Sequence, residues 1–313
     1  MTEPNLTEFR AWLVEWDKAD STIYGYLATV RIFARWFAGC HDEAMTPVAV
    51  TPQDVRRYRD DMVDQKRSPN TINYYLSALS TYFSWAQDAG MIEASPTARV
   101  KQVIVQKSAP RWMDRREERA FTRALQRSLQ LAEVRAAGDL GHPGVVRERR
   151  NAGIVALMLK AGLRVSEVVV LALDDLILND RSGKAVVRDS KKNKYREAPL
   201  NTDVRQALRA WLDVRPDKGD RVFVGHGKSS TGLTTRSVHR LVGKYARLAG
   251  LESAGVSPHT LRHTCGHNLV EAGVGLDRVA AILGHEKLDT TALYTMPSNK
   301  ELQREVEKIA AGG

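Results

Sequence analysis

Apolar residues in positions 1–105 recur with helical spacing. Phe9, Trp12, Leu13 and Trp16 fall at i, i+3, i+4 and i+7, one face of a 3.6-residue period. Tyr26, Val30, Phe33 and Phe37 continue the pattern after a cap-like Asp20-Ser21-Thr22. Val55, Tyr58 and Met62 follow Thr51-Pro52, and proline suits a first helical turn. Ile72, Leu76, Leu79, Phe83 and Ala86 form the longest stripe, which ends near Gly90. Four amphipathic helices with short connections make a small bundle, and its aromatic stripes read as core.

The rest of the chain is mixed. Helical patterns cover about 114–136 and 146–161, with a loop from Gly138 to Gly144 between them. Short strand-like runs follow at Asp175–Leu178, Lys184–Asp189 and Tyr195–Leu200; the last two flank Lys191-Lys192-Asn193, a hairpin turn. Further helices are predicted at about 202–213, 235–249, 258–272 and 276–283. A tail, Ser298–Ala311, places Leu302, Val306 and Ile309 on one face. A linker is placed at the two prolines between Ser95-Pro96 and Ala109-Pro110. The expected architecture is therefore two domains: an all-α bundle over 1–105, and a mainly α, α+β domain with a small antiparallel sheet over 106–313.

Charge sharpens this division. Lys+Arg number 47 against 37 Asp+Glu, a formal +10. Residues 1–105 balance at −2, while 106–313 carry +12. A basic surplus points to a polyanionic partner, though weakly when taken alone. No apolar run approaches the roughly 18–20 residues of a membrane span, and Met1–Phe9 lacks a signal-peptide layout. Cys40 and Cys265, the two cysteines, cannot build a disulfide framework and read as reduced thiols of a cytoplasmic protein.

Four clusters could carry chemistry. In Ala161-Gly162-Leu163-Arg164-Val165-Ser166-Glu167, a helix stops at Gly162 and another starts with Ser166 as its cap. Arg164 between them can aim at a phosphate, or simply pair with Glu167 at the surface. In Ser257-Pro258-His259-Thr260-Leu261-Arg262-His263, His259 and Arg262 share a helix face. Leu261, Cys265 and Leu269 lie on another, expected to be core. An exposed imidazole and guanidinium at a helix start suit an anion. His259, His263 and His267 also recur every four residues, but no matching acidic or cysteine ligand makes a metal site of them. The third cluster is Leu283-Gly284-His285 followed by Thr290-Thr291 and Tyr294-Thr295; the fourth is the basic hairpin Lys191-Lys192-Asn193-Lys194-Tyr195-Arg196. Alone, these are a turn, a structural tyrosine and a solvated charge run.

In this order the clusters resemble the tyrosine recombinase (phage integrase, Xer-like) family. The match comprises Ala-Gly-Leu-Arg164-x-Ser-Glu167, a lysine hairpin ending at Pro199-Leu200, His259-x-x-Arg262-His263-Thr264, Leu-Gly-His285 and Thr-Thr-x-x-Tyr294. The resemblance implies a helical core-binding domain that contacts DNA and a catalytic domain that breaks and rejoins it without metal, ATP or any cofactor. It makes Tyr294 the nucleophile of a 3′-phosphotyrosyl intermediate. Arg164, Arg262 and His285 would stabilise the non-bridging oxygens, Lys191 would be the general acid, and His259 the candidate base. Glu167 would orient this shell. The hairpin departs from the family's Gly-Lys-Gly, which leaves Lys191 and its neighbours open. Gly266 and His267 replace the family's usual small and hydroxyl residues, for no reason visible in the sequence.

The resemblance further implies duplex DNA with paired sites as partner and a homotetramer on DNA, with the tail helix docked on its own domain or exchanged between protomers. Arg31, Arg35, Arg56, Arg57, Lys66 and Arg67 are candidate phosphate contacts. Lys192 and Lys194 join them from the hairpin, and Asn70, Thr71 and Asn73 could reach a groove. Two other functions stay open at this point: a DNA-binding accessory protein that does not cleave, and a type IB topoisomerase.

Overall fold

A computed structural model describes residues 5–105, 110–189, 194–225, 232–285, 288–295 and 307. The chain divides into two compact units, Met1–Lys107 and Ser108–Gly313. Among the described residues no helix is long and apolar enough to cross a membrane.

Among its described residues the first unit holds four helices: α1 (Leu6–Glu15), α2 (Asp20–His41), α3 (Pro52–Asp64) and α4 (Pro69–Asp88). Each predicted stripe turns inward. Phe9, Leu13, Val30, Phe33, Phe37, Val55, Tyr58, Leu76, Leu79 and Phe83 share one core. Thr51 caps α3 through a reciprocal box with Asp54, and Ser68 caps α4 by accepting from Thr71 N. Each has proline in the following turn, where a missing N–H costs nothing. Two local expectations differ. Trp16 follows the last turn of α1 and is 59% exposed, so the stripe ends at Leu13. Helix α2 already includes Asp20, with Ala19 at its N-cap and no side-chain cap.

The proposed DNA contacts in this unit divide by burial. Arg31, Arg35, Arg56, Arg57, Lys66, Arg67 and Asn70 are exposed. Thr71 and Asn73 are half-buried and engaged within the unit. The Thr71 hydroxyl bonds Ser68 Oγ at 2.8 Å. Asn73 Nδ2 donates to Val103 O while Asn73 Oδ1 accepts from Val103 N, both at 2.8 Å. Asn73 thus fastens the chain beyond α4 through one of its two Nδ2–H donors and its Oδ1.

The second unit contains α5 (Arg115–Ala136), α6 (Pro143–Lys160), α7 (Val165–Val170), strands β1 (Leu176–Leu178), β2 (Gly183–Asp189) and β3 (Lys194–Pro199), then α8 (Thr202–Leu212), α9 (Thr235–Leu248), α10 (Pro258–Glu271), α11 (Leu276–Leu283) and α12 (Leu288–Ala292). The strands form one antiparallel sheet in the order β1-β2-β3, with Ala185 opposite Ala198 and Val187 opposite Arg196. Central α6 packs against α5, α8 and α10. In its second half Ile154, Val155, Leu157, Met158 and Leu159 are buried, so that half is apolar nearly all round, as a central helix should be. It starts at Pro143, three residues before periodicity indicates, with proline in its first turn and His142 as its N-cap. The mostly helical fold with a small sheet agrees with expectation. Lys191, Lys192 and the Ser298–Ala311 stripe (Leu302, Val306, Ile309) lie outside the described residues, as does the Lys194 side chain.

Asn73→Ala is expected to lower the stability of the first unit by about 1–3 kcal/mol, since a half-buried backbone N–H and C=O lose their partner. Urea denaturation measures this. DNA affinity under conditions where the variant stays folded should match wild type.

Candidate active site

The site is assembled where α6, α7, β3, α10 and α11 meet. Helix α6 ends at Lys160 with Ala161 as its C-cap, and Gly162 turns the chain back with φ of +68°. A side chain at Gly162 would also collide with Leu283 Cδ2, so glycine is required there for both conformation and space. Leu163 is buried, and Arg164 then becomes the N-cap of α7. Glu167, three residues on, reaches back to Arg164 N at 2.7 Å. The cap is therefore Arg164 with Glu167, where the sequence suggested Ser166.

Glu167 also binds charge. Its Oε1 accepts from Arg164 Nη1 at 2.8 Å, and its Oε2 accepts from Arg196 Nη2 at 2.7 Å. Arg262 Nη1 lies 4.0 Å from the same Oε2. Three guanidiniums thus surround one carboxylate. Their other partners are consecutive carbonyls at the end of α11: Arg196 Nη1 donates to Ile282 O at 3.0 Å, Arg262 Nη2 to Leu283 O at 2.6 Å, and Arg164 Nη2 to Gly284 O at 2.7 Å. A helix C-terminus leaves its last carbonyls unpaired and carries partial negative charge. Here three arginines satisfy both needs. Gly284 adopts φ of +68°, and a Cβ there would strike Arg196.

Arg262 is 5% exposed. The sequence placed it on an exposed face; instead it turns inward, also donating to Gly162 O. Burial, then the charge of Arg164, lowers its pKa to about 10, so it remains cationic at neutral pH. Arg196 is shifted down in the same direction, chiefly by burial. Sequence reading assigned Arg196 no role beyond the basic hairpin. Its alternation on β3 opposite Val187 marks an inward-facing strand position, the one local sign of it.

The histidines occupy different places. Ser257 caps α10 through a box with Thr260, and His259 follows Pro258 on the exposed first turn. Desolvation and the nearby His239, Arg262 and Arg164 hold its pKa below the ordinary value. His285 follows the arginine-bound carbonyls. Its Nδ1 meets the buried Thr291 hydroxyl at 2.9 Å. Burial, then Arg262 and Arg164, push its pKa down to about 4. With the hydroxyl donating, the neutral ring keeps its proton on Nε2, the nitrogen left for a phosphate oxygen. His267 stacks on Trp112 with ring centroids 4.4 Å apart, and His263 turns to Tyr294. Among the described residues no group of three or more His, Cys, Asp or Glu could hold a metal ion.

Tyr294 lies in a 3-10 turn, Leu293–Thr295, and is only 2% exposed. It clusters with Cys265, Val279 and Leu283. Its ring covers Gly266, where a Cβ would lie 2.6 Å from Tyr294 Cε2 and 2.7 Å from Cζ. This contact supplies the reason for a glycine inside α10. The hydroxyl bonds His263 Nδ1 at 3.0 Å, and His285 stacks beside the ring at 6.0 Å and 24°. Burial pushes the phenol up to about 12, against the opposing charge of Arg262 and Arg164.

The site thus joins fixed cationic donors, two neutral imidazoles and a buried phenol. Such donors stabilise charge developing on a phosphoryl centre. Of the residues singled out in the sequence, Arg164, Glu167, Arg262, His285 and Tyr294 fall within one group of contacts, with His259 on its rim.

Comparison with known proteins gives consistent results. A model described as the phage integrase family matches residues 142–301, and one described as the phage integrase N-terminal SAM-like domain matches 6–92. Tyrosine recombinase XerA of Thermococcus kodakarensis is 29% identical over 311 residues, covering 98% of this chain and 96% of that protein. Tyrosine recombinase XerC of Corynebacterium glutamicum is 29% identical over 251 residues, covering 79% and 74%. Among solved structures, XerH site-specific recombinase bound to palindromic difH substrate matches with a TM-score of 0.71 at 20% identity, over 92% of this chain and 79% of that one. A lambda integrase dimer bound to a COC′ core site matches at 0.68 and 15% identity, over 95% of each. At these identities the structures speak for the fold.

Gly266→Ala is expected to unseat the Tyr294 ring. Overpacking of this kind costs about 1–3 kcal/mol, read as a lower denaturation midpoint, and loss of the hydroxyl contact should shift the His263 ring nitrogens in NMR spectra. A pH effect also follows. His263 is depressed to about 4, as is His285, against an unfolded value of about 6.5. Below about 6.5 the unfolded chain binds protons that the folded chain refuses, so stability should fall as pH drops toward about 4 and then level off. Urea titrations across that window measure it, and His263→Asn should remove part of the slope.

Proposed function

The chain belongs to the phage integrase family, and on that premise we propose that it is a site-specific DNA recombinase whose Tyr294 breaks and rejoins duplex DNA. The observation that carries this reading is the arginine group on Glu167 and the α11 carbonyls, with Tyr294 near enough for Arg262 and Arg164 to act on its phenol.

Tyr294 Oη attacks the scissile phosphorus, forming a 3′-phosphotyrosyl bond while the bond to the 5′-oxygen breaks. Arg164, Arg262 and His285 hold the non-bridging oxygens. A guanidinium has five donors, and the two carbonyls that accept from Arg262 leave three. Lys191 protonates the departing 5′-oxygen. His259 helps to remove the tyrosine's proton, and Glu167 keeps the arginines in register. A phenol at about 12 is ionised in only about one molecule in 10⁵ at neutral pH, so proton removal must accompany attack. The phosphotyrosyl bond conserves the energy of the broken linkage, and a 5′-hydroxyl reseals it without ATP. The chemistry asks for no metal, since the charge is supplied by arginine.

Residues 1–105 act as the core-binding domain. Arg31, Arg35, Arg56, Arg57, Lys66, Arg67 and Asn70 contact DNA, with Lys192 and Lys194 adding contacts from the hairpin. The partner is duplex DNA with paired sites, bound by a homotetramer inside the cell.

The test is a nicked suicide duplex built on a site selected by binding from a random pool. Wild type is expected to give a covalent protein–DNA adduct on a denaturing gel, Tyr294→Phe none, and Arg262→Ala a rate lower by about 10²–10³. No wild-type adduct on a verified binding site would reject the enzymatic reading, and adduct without site dependence would favour a topoisomerase.

A further inference from the structure

The function above leaves His263 without a task. It follows Arg262 on α10, and its Nδ1 meets Tyr294 Oη at 3.0 Å with the ring centroids 5.7 Å apart. The titratable and charged groups acting with it are His259 and Arg262 on its own helix, Tyr294 on the 3-10 turn, and His285 beyond α11. His259 stands one turn earlier on the same helix face, exposed to solvent. We propose that His263 is a catalytic residue: its Nδ1 accepts the hydrogen bond of the Tyr294 hydroxyl and takes that proton as Oη attacks phosphorus. The inference rests on Tyr294 being the nucleophile.

The atoms balance. The Oη–P bond forms and the P–O5′ bond breaks. The tyrosine's proton moves to Nδ1, and the 5′-oxygen takes a separate proton from the general acid. On rejoining, the imidazolium returns its proton to the departing phenolate. His259, exposed one turn earlier, lies near enough for its charge to act on His263. Burial, then His259 and Arg262, hold His263 at about 4, which leaves the Nδ1 lone pair free to accept at neutral pH. The contact also gives the buried phenol a satisfied hydrogen bond.

Single-turnover adduct formation on the suicide duplex tests this, with either oxygen or sulfur at the scissile 5′ position. Sulfur leaves as a thiolate without a proton, so it relieves loss of the general acid but not loss of the nucleophile's base. Circular dichroism and gel-shift binding establish that each variant is folded and binds DNA. His263→Ala is expected to slow the reaction by about 10²–10⁴-fold with both leaving groups. Lys191→Ala should be slow with oxygen alone. His263→Asn can still accept the hydroxyl's hydrogen bond through its side-chain oxygen but cannot take the proton. It should stay slow at neutral pH and gain rate as pH rises toward the phenol's own range. A wild-type rate for His263→Ala would overturn the proposal, as would its rescue by sulfur or a wild-type rate and pH profile for His263→Asn; in each case Tyr294 would stand as nucleophile. Absence of adduct with wild type would overturn the recombinase reading and this proposal together.

Discussion

The second unit depends on one electrostatic arrangement: three guanidiniums held between the carboxylate of Glu167 and three consecutive carbonyls of α11. Like charges at this spacing repel, and burial adds a desolvation cost. Glu167 neutralises only one of the three. The helix end supplies the rest, since Ile282, Leu283 and Gly284 present acceptors that their own helix cannot satisfy. Each partner therefore holds the others. The arginines close the helix, the helix fixes the arginines, and His285 emerges at a defined place beyond them. Gly162 and Gly284 complete the arrangement, because a side chain at either would strike Leu283 or Arg196.

This arrangement separates charge from the proposed nucleophile. The cationic donors are in position before any substrate arrives, so reaction requires little reorganisation of them. The phenol is kept neutral in an apolar seat made by Gly266, Cys265, Val279 and Leu283. The same burial that protects Tyr294 raises its pKa to about 12 and makes it a poor nucleophile until its proton leaves. A seat that is 2% exposed also keeps water from the phenol, so the His263 contact is the hydrogen bond its hydroxyl makes.

Much of the fold was legible in the sequence because periodicity and capping are local. The stripes of α2 and α4, the proline-led starts of α3, α4 and α10, and the three strands all lie close to where spacing puts them. Misreadings also had local causes. Trp16 continues an apolar spacing one residue beyond the helix. Ser166 resembles a cap, but the backbone turns at Arg164 because Glu167 reaches back to it. Asn73 sits among polar residues at a helix start, and nothing in that run reveals a partner 30 residues away at Val103. Arg262 shares helical spacing with an exposed histidine yet points inward, since the carbonyls that receive it come from the turn after α6 and the end of α11.

By itself, the sequence determined the helical and strand segments, the order of the motifs and the family, because each is written in the spacing of neighbouring residues. It supplied Arg164, Glu167, Arg262, His285 and Tyr294 through motif alone. Only the tertiary structure decided how these groups meet: Arg196 on Glu167 across 29 residues, Arg164 on Gly284 across 120, and His263 on Tyr294 across 31. Hydrogen bonds and repulsion between charges act over a few ångströms of space regardless of chain separation. Which arginine is buried, why position 266 must be glycine, and which histidine meets the phenol were therefore settled by packing.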